Sequence, residues 1–267
     1  MKKHLILFIV IVSFVFAERP ITAEDIVNIK SISQAEFNSD GSLIVYAKLI
    51  PRSKNDKGGS SYREIWVSSV NGKEQKKFTS APTNNWNPQW TPTGDISFLS
   101  RKKDFDKNTQ IYVIPINGGE ASLLTSHKSG VGSYKWSPDG RWIAFTSRDS
   151  RGKKRKDEIS EGYDMIVMDK EKLFTRLWIY NVNTGTTELM FKKDINSFDF
   201  EWTPNSKYVI FQGTDKFGSD ANYLDRSIYQ VRAPSGTPRK LFETPGKLSK
   251  MTISPDASML AFLGAVS

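Results

Sequence analysis

The chain has 267 residues, a formal net charge of +9, 38% apolar residues and 25% charged residues, which excludes a disordered chain and a membrane bundle. Its length suits one large domain or two small ones. Cysteine is absent, which excludes a disulfide scaffold, a thiolate zinc site, a thiol nucleophile and an acylated N-terminal cysteine.

The first seventeen residues have the pattern of a secretory signal peptide. The segment begins with Lys2 and Lys3, continues as an apolar run over 5–16, and ends at Ala17 before a plausible cleavage site. The alternative is an uncleaved membrane anchor, but twelve helical residues span only about 18 Å, less than the roughly 30 Å hydrocarbon layer. We therefore expect an exported protein, periplasmic or secreted, that has no membrane contact after cleavage.

Five segments in the rest of the chain share a turn motif and the apolar run that follows it. In four of them an aromatic or aliphatic residue is followed by Ser-Pro or Thr-Pro and then by polar turn residues. The first copy lacks the proline. The five copies are Phe37–Gly41, Trp90–Gly94, Trp136–Gly140, Trp202–Ser206 and Ile253–Ala257. Proline presets φ and glycine accepts positive φ, so each copy predicts a turn. The runs that follow are apolar on successive residues, which predicts strands buried on both faces.

A second hairpin follows each of the first four motifs at nearly constant spacing. Twelve residues separate its Trp or Tyr from an apolar residue of the return strand, and twelve more lead to the next motif. Only the connection between the two hairpins of a unit varies, with anchor residues 20, 14, 33 and 18 apart. Four short strands per unit, each unit covering its neighbour's faces, are typical of propeller blades. The alternative is a β-sandwich, but a β-sandwich does not require this repeated spacing.

We therefore predict an all-β fold, a β-propeller of four-stranded blades that is open or incomplete. Four full blades and the first hairpin of a fifth are expected within a partial propeller domain at 18–267. The approximate blades are 33–79, 85–125, 132–191, 196–242 and 247–267. An open edge with two apolar faces is an aggregation hazard, so a longer polypeptide is expected.

The varying connections join equivalent strands, so they are predicted to emerge on one side of the disk. The longest, around 150–175, should reach furthest. No segment of useful length after residue 30 shows helical periodicity. A mixed run of charges over 148–164 is typical of a solvated loop, and no nucleic-acid-binding motif accompanies it. We therefore expect no nucleic acid partner.

Three features of the sequence carry a family resemblance. Residues 19–27, directly after the predicted cleavage site, read Arg-Pro-Ile-Thr-Ala-Glu-Asp-Ile-Val. The motif at Trp136–Gly140 and the hairpin at 111–125 are the second feature, and the 33-residue spacing from Phe145 to Trp178 is the third. Together they resemble the start, the blades and the long insert of exported S9-family serine peptidases. These form the prolyl oligopeptidase clan, and the resemblance is to its dipeptidyl-peptidase and acylaminoacyl-peptidase-like branch.

The resemblance implies a two-part enzyme. In this family the propeller covers the active site of a C-terminal α/β-hydrolase domain and restricts access to short peptides. The catalytic Ser, Asp and His lie in that domain, which is not in this chain, so no catalytic residue, metal ligand or cofactor is assigned here. The implied partners are the hydrolase domain of the same polypeptide and short peptide substrates.

Some family members bind the free amine of the substrate through paired glutamates of the propeller. The long insert here does not reproduce an adjacent Glu-Glu pair, so the substrate-binding residues stay unknown. The candidates that it offers are Glu158, Glu161 and Asp164, and a solvated loop is the alternative for each.

Two other functions stay open. One is a non-enzymatic periplasmic protein-binding propeller, similar to the propeller protein of the Tol system. The other is a propeller that is itself an enzyme, which needs histidines or carboxylates converging from several blades. The repeated strand positions hold Trp, Phe, Ile and Tyr instead. His127, in a polar linker beside Lys128, is expected to be a surface histidine and not a catalytic base.

Overall fold

The computed structural model describes residues 19–101, 108–165, 171–243 and 246–265. The predicted signal peptide at 1–17 lies outside these ranges. Within them the chain forms five antiparallel sheets, four with four strands and one with two. Each strand pairs with the strand that follows it in its sheet. We call each sheet with its connections a blade and number the blades in chain order.

The blades are built from short strands. Blade one contains β1 (Ile32–Phe37), β2 (Leu43–Ile50), β3 (Tyr62–Ser69) and β4 (Gln75–Lys77). Blade two contains β5 (Asn85–Trp90), β6 (Ile96–Ser100), β7 (Gln110–Ile114) and β8 (Ser122–Leu123). Blade three contains β9 (Tyr134–Trp136), β10 (Trp142–Arg148), β11 (Thr175–Asn181) and β12 (Thr187–Leu189). Blade four contains β13 (Asn196–Trp202), β14 (Tyr208–Thr214), β15 (Ser227–Arg232) and β16 (Arg239–Glu243). Blade five contains β17 (Leu248–Ile253) and β18 (Leu260–Gly264).

The apolar core lies between neighbouring blades. All five residues of β6 are buried, and its successive side chains enter different clusters. Phe98 packs in the cluster between blades one and two, and Leu99 packs in the cluster between blades two and three. The blades therefore cover each other's faces, which confirms the predicted open propeller of four-stranded blades. In β18, Ala261 and Leu263 are exposed and no described sheet covers their face.

The tryptophan of the turn motif connects one blade to the blade before it. Trp90 Nε1 of blade two donates a hydrogen bond to the carbonyl oxygen of Glu36 at 3.1 Å. Trp202 Nε1 of blade four donates to the carbonyl oxygen of Lys135 at 3.0 Å. In blade three, Trp136 Nε1 donates to the hydroxyl of Ser97 at 2.9 Å. Each indole thus combines apolar packing with a directional bond that aligns two sheets.

Three short helices accompany the strands in the described ranges. The first, α1 (Ala23–Val27), is N-capped by Thr22. The other two, α2 (Lys153–Ser160) and α3 (Ser219–Leu224), lie in the connections between the second and third strands of blades three and four. The sequence showed no helical periodicity after residue 30, and α2 and α3 therefore correct that expectation. Among the helices of the described residues, none has the length and apolar character needed to cross a bilayer.

Local sequence alone does not explain α2. Its first four residues are basic and stand at the positive end of the helix dipole, and Gly152 supplies no side-chain cap. Its stability comes from contacts with the rest of the chain, as is usual for a helix of eight residues. Lys156 Nζ donates to Ser150 Oγ, and Arg155 binds the segment that follows the helix.

His127 does not lie free on the surface. Its imidazole makes edge contacts with Trp178 and Phe145, at ring-centroid distances of 4.5 and 5.2 Å. The linker is held as well, because Gln110 Nε2 donates to the carbonyl oxygen of His127. Half-burial against these rings lowers the pKa of His127. His127 is thus a half-buried residue of the surface, because blade three offers an aromatic surface to this linker.

We expect the replacement Trp202→Phe to destabilise the fold by about 1 kcal/mol more than Trp142→Phe. Both side chains pack against the same cluster between blades three and four. Of these two indoles, only that of Trp202 donates a hydrogen bond to a described residue. Loss of the indole N–H leaves the carbonyl oxygen of Lys135 without that donor. Urea unfolding of the two variants measures the difference. Equal losses of free energy would show that the indole N–H does not hold the blades together.

We also expect an acid-dependent loss of stability that disappears in His127→Phe. The unfolded chain protonates this histidine at a pKa of about 6.5, and the folded chain at a lower value. The contribution of His127 to the free energy of unfolding is therefore fully present above a pH of about 6.5. It is lost as the pH drops from there through the lowered pKa of the folded state. Phenylalanine keeps an aromatic ring against Trp178 and carries no proton. Urea midpoints measured from about pH 8 to pH 5 test this, and identical pH profiles for both proteins would contradict it.

Candidate functional site

A cleft of about 1040 Å³ lies between blades three and four. One wall is the insert, the connection from β10 to β11 that contains α2, of which the structure describes residues 149–165 and 171–174. The facing wall is the equivalent connection of blade four, which contains α3. The longest varying connection and its equivalent in the next blade thus come together at one place. The polar lining residues are Arg148, Arg151, Lys154, Arg155, Glu158, Asp164, Glu171, Thr175, Asn196, Ser219 and Asn222.

Arg155 organises the insert. Its guanidinium donates to the carbonyl oxygens of Tyr163 and Met165, at 2.7 and 2.6 Å. It also contacts the carboxylates of Glu158 at 3.3 Å and Glu171 at 3.9 Å. One side chain therefore joins α2 to both ends of the segment that follows it. The resulting conformation of the insert forms the wall of the cleft.

The three candidate residues for substrate binding have different positions. Glu158 lines the cleft, and its carboxylate accepts from Arg155. Asp164 also lines the cleft, and it makes no ion pair with any described residue. Glu161 ends α2, is exposed and does not line the cleft. The structure thus brings Glu158 and Asp164 to one cavity and leaves Glu161 outside it.

Sequence reasoning missed Glu171. Its carboxylate accepts from Arg151 Nε at 3.0 Å and lies near Arg155, so it faces Glu158 across a shared arginine. The sequence gives only a weak signal for this residue. No local pattern in a loop shows which carboxylate contacts an arginine sixteen positions earlier. The cleft therefore presents carboxylates and guanidinium groups side by side.

An aromatic contact and the side chain of Asn196 connect the two walls of the cleft. Phe217 of the blade-four connection contacts Phe174 at the end of the insert, with ring centroids 5.9 Å apart. Asn196 Nδ2 donates to Asn222 Oδ1 of α3 at 3.0 Å, while Asn196 Oδ1 accepts from the backbone N–H of Thr175 at 2.8 Å. Asn196 is buried and thus joins both walls of the cleft. These bonds fix the distance between the insert and α3.

A second polar group lies among the first strands of the blades, which are the strands that contact each other between neighbouring sheets. It contains Glu36, Lys135 and Glu201, and we call it the inner cluster. Lys135 Nζ forms an ion pair with the Glu201 carboxylate. Burial raises the pKa of Glu36, and burial also raises the pKa of Glu201, against the opposing charge of Lys135.

The inner cluster corrects the expectation that the repeated strands bring no carboxylates together. The available signal was the residue directly before the first residue of the turn motif, which is polar in every copy. Those residues are Glu36, Gln89, Lys135, Glu201 and Thr252. Over the described part of the chain, no group of three or more histidines and carboxylates is arranged to hold a metal ion. Within the inner cluster, Lys135 and Glu201 form an ion pair between blades three and four.

Comparison with known proteins begins with the sequence. No family model matches the chain. The uncharacterized peptidase YuxL of Bacillus subtilis is 27% identical over 217 residues, which cover 76% of this chain and 32% of that protein. Dipeptidyl-peptidase 5 of Porphyromonas gingivalis is 23% identical over 269 residues, covering 91% of this chain and 38% of that protein. The chain thus spans about a third of the length of the curated relatives it matches.

Solved structures share the fold at lower identity. Acylaminoacyl peptidase from Pyrococcus horikoshii superposes with a TM-score of 0.59 and 17% identity, over 82% of this chain and 33% of that one. The β-propeller domain of the Trilobed protease from Pyrococcus furiosus, which has an open velcro topology, gives 0.52 and 16%, over 84% and 60%. TolB from Acinetobacter baumannii gives 0.54 and 18%, over 93% and 67%. The chain is therefore similar in sequence to proteins named as peptidases, and it shares the fold of solved propeller structures.

Proposed function

We propose that this chain is the substrate-gating propeller region of an exported serine peptidase that cleaves short peptides. In this proposal the whole protein resembles a dipeptidyl- or acylaminoacyl-peptidase, and the chain is not catalytic by itself. The catalytic Ser, Asp and His then belong to a hydrolase domain of the same polypeptide. The observation that carries the proposal is the match to relatives named as peptidases over 76% and 91% of this chain. Export follows from the signal-peptide pattern of 1–17.

The chemistry of the cleft supports this function. Its volume of about 1040 Å³ accommodates a short peptide but not a folded domain. A short peptide carries one amine and one carboxylate, and the cleft offers groups of both charges within one cavity. Asp164 is the carboxylate without an ion pair among the described residues, and so it is the more accessible partner for an amine. Glu158 is held by Arg155.

A second candidate is a protein-binding propeller without enzymatic activity. The specific observation in its favour is the superposition on TolB, which extends over 93% of this chain and 67% of that one. The two functions differ in their ligand. A gating propeller affects which peptides are hydrolysed, whereas a binding module captures a protein and hydrolyses nothing.

The insert gives the gating role its test. In the full-length protein, deletion of residues 150–163 should increase hydrolysis of longer peptides relative to dipeptides, because one wall of the cleft is removed. Arg155→Met should produce a smaller shift in the same direction, since it frees the segment around Tyr163 without shortening the chain. Lys153→Met, on the same helix but outside the cleft lining, is the matched control. Unchanged turnover and unchanged size selectivity in the deletion would reject the gating role.

The location of the catalytic groups has its own test. We expect the 267-residue chain to show no turnover of chromogenic dipeptide and acyl-amino-acid substrates, and the full-length protein to hydrolyse them. A serine peptidase needs a histidine that takes the proton of the serine, and the ring of His127 packs against Trp178 and Phe145. Turnover by the chain that disappears in His127→Ala would place the chemistry within it. Absence of turnover by the full-length protein, with capture of a protein ligand, would favour the binding module.

A further inference from the structure

A smaller pocket of about 420 Å³ adjoins the cleft, and the two share Thr175 and Phe198. We call it the Arg226 pocket. Its walls come from three blades, because β10, β13, β14 and β17 all contribute to it. The lining residues are Ser133, Thr146, Thr175, Ser197, Phe198, Asp199, Gln212, Arg226, Ser249 and Lys250.

Arg226 is a partly buried cation with an open donor. Its guanidinium stacks on the ring of Phe198 at 3.8 Å, and its Nη1 donates to the carbonyl oxygen of Leu248 at 3.2 Å. Its Nε donates to the carbonyl oxygen of Asn222. No carboxylate of the described ranges lies within 4 Å of it, and no described acceptor bonds its Nη2. Burial of this charge lowers the pKa of Arg226. The charge of Asp199 acts on this guanidinium from a distance, but the two form no ion pair, and partly buried charges are normally paired.

Gln212 adds a second donor without a partner. Its side chain is fully buried, and its Oε1 accepts from Arg226 Nη1 at 3.4 Å. That contact orients the amide, because the opposite orientation would place two donors against each other. Its Nε2 has no hydrogen-bond partner. The buried hydroxyl of Ser197 in the same lining also has none. Native structures rarely leave buried donors unsatisfied, so these atoms indicate a bound acceptor.

We propose that the Arg226 pocket binds the C-terminal carboxylate of a short peptide, with Arg226 and Gln212 as the donors to its two oxygens. The peptide part of this proposal rests on the proposed function, since the remainder of the ligand extends into the cleft past Thr175 and Phe198. A planar guanidinium beside an amide N–H suits the two oxygens of a carboxylate.

The charge of the lining favours a singly charged anion. Arg226 and Lys250 are the cations, and Asp199 is the carboxylate. The Asp199 side chain accepts from the backbone N–H of Met251 at 2.8 Å, which holds it in place. The lining therefore has one excess positive charge. A carboxylate neutralises that charge, whereas a doubly charged phosphate would leave a negative excess.

The volume of the pocket distinguishes a peptide terminus from a free small acid. Acetate would fill a small part of a space of about 420 Å³, whereas the last residues of a peptide together would fill much more of it. The shared residues Thr175 and Phe198 give the preceding residues a path toward the cleft. The carboxylate would then lie between blades three and four, and the amine end would lie near the insert.

The test compares trialanine as the free acid with trialanine amide, by calorimetric titration of the full chain. We expect the acid to bind at least about tenfold more tightly, the size of one charge-assisted hydrogen-bond pair. In Gln212→Glu, a carboxylate of the protein occupies the place beside Arg226, so this preference should vanish. Gln230→Glu on β15 introduces the same charge in the same blade outside the pocket and should keep the preference.

Equal binding of acid and amide by the unmodified chain would overturn the proposal, and so would an acid preference that survives in Gln212→Glu. Acetate or inorganic phosphate binding as tightly as trialanine acid would overturn the peptide part. If Gln212→Glu does not fold, Gln212→Met removes the donor without adding charge, and the acid preference should fall at least about threefold. Equal affinity of the chain for trialanine amide and trialanine acid contradicts this inference and leaves the proposed function untouched. Inactivity of the full-length protein on peptides contradicts the proposed function alone.

Discussion

The hydrogen bond from a motif indole to the preceding blade is the contact on which the rest of the molecule depends. A four-stranded sheet buried on both faces cannot exist in water alone, because both faces are apolar. Neighbouring sheets must therefore pack, and packing by apolar area alone leaves their relative register loose. The bonds of Trp90 and Trp202 to carbonyl oxygens of the preceding blade fix that register. The constant spacings of twelve residues keep the same length of chain from the second hairpin of one blade to the turn motif of the next.

The same strands explain why the inner cluster is tolerated. Side chains on a strand alternate between faces, so the residue beside each motif aromatic points away from the face that the indole packs against. Glu36, Lys135 and Glu201 occupy this equivalent position in three blades. An isolated buried carboxylate would be costly, but Lys135 provides Glu201 with an opposite charge. The repeat thus places three charged side chains near each other at one equivalent position of the first strands.

The sequence allowed the fold to be predicted more fully than the site, for a physical reason. Strands and turns follow from local chemistry that repeats, such as the Pro-Asp-Gly turn at Trp136–Gly140 and the doubly buried run after it. The insert has no such repeat. Its shape depends on Arg155 reaching two backbone carbonyl oxygens and two carboxylates, and any of several basic residues nearby could have done so. The contact of His127 with Trp178 joins residues far apart in sequence, which no local pattern indicates.

The positions of the indoles and of the cleft within each blade have an evolutionary consequence. In blade two, Trp90 pairs with Ile96 at one end of the first hairpin, and Asn85 pairs with Ser100 at the other, where the varying connection begins. In blade four, Trp202 pairs with Val209, and Asn196 pairs with Thr214 in the same way. Strands of this length separate the two ends by about 16–20 Å. Insertions and substitutions at the cleft can therefore accumulate without disturbing the bonds between blades. Ligand preference can diversify among descendants of such a chain while its architecture stays constant.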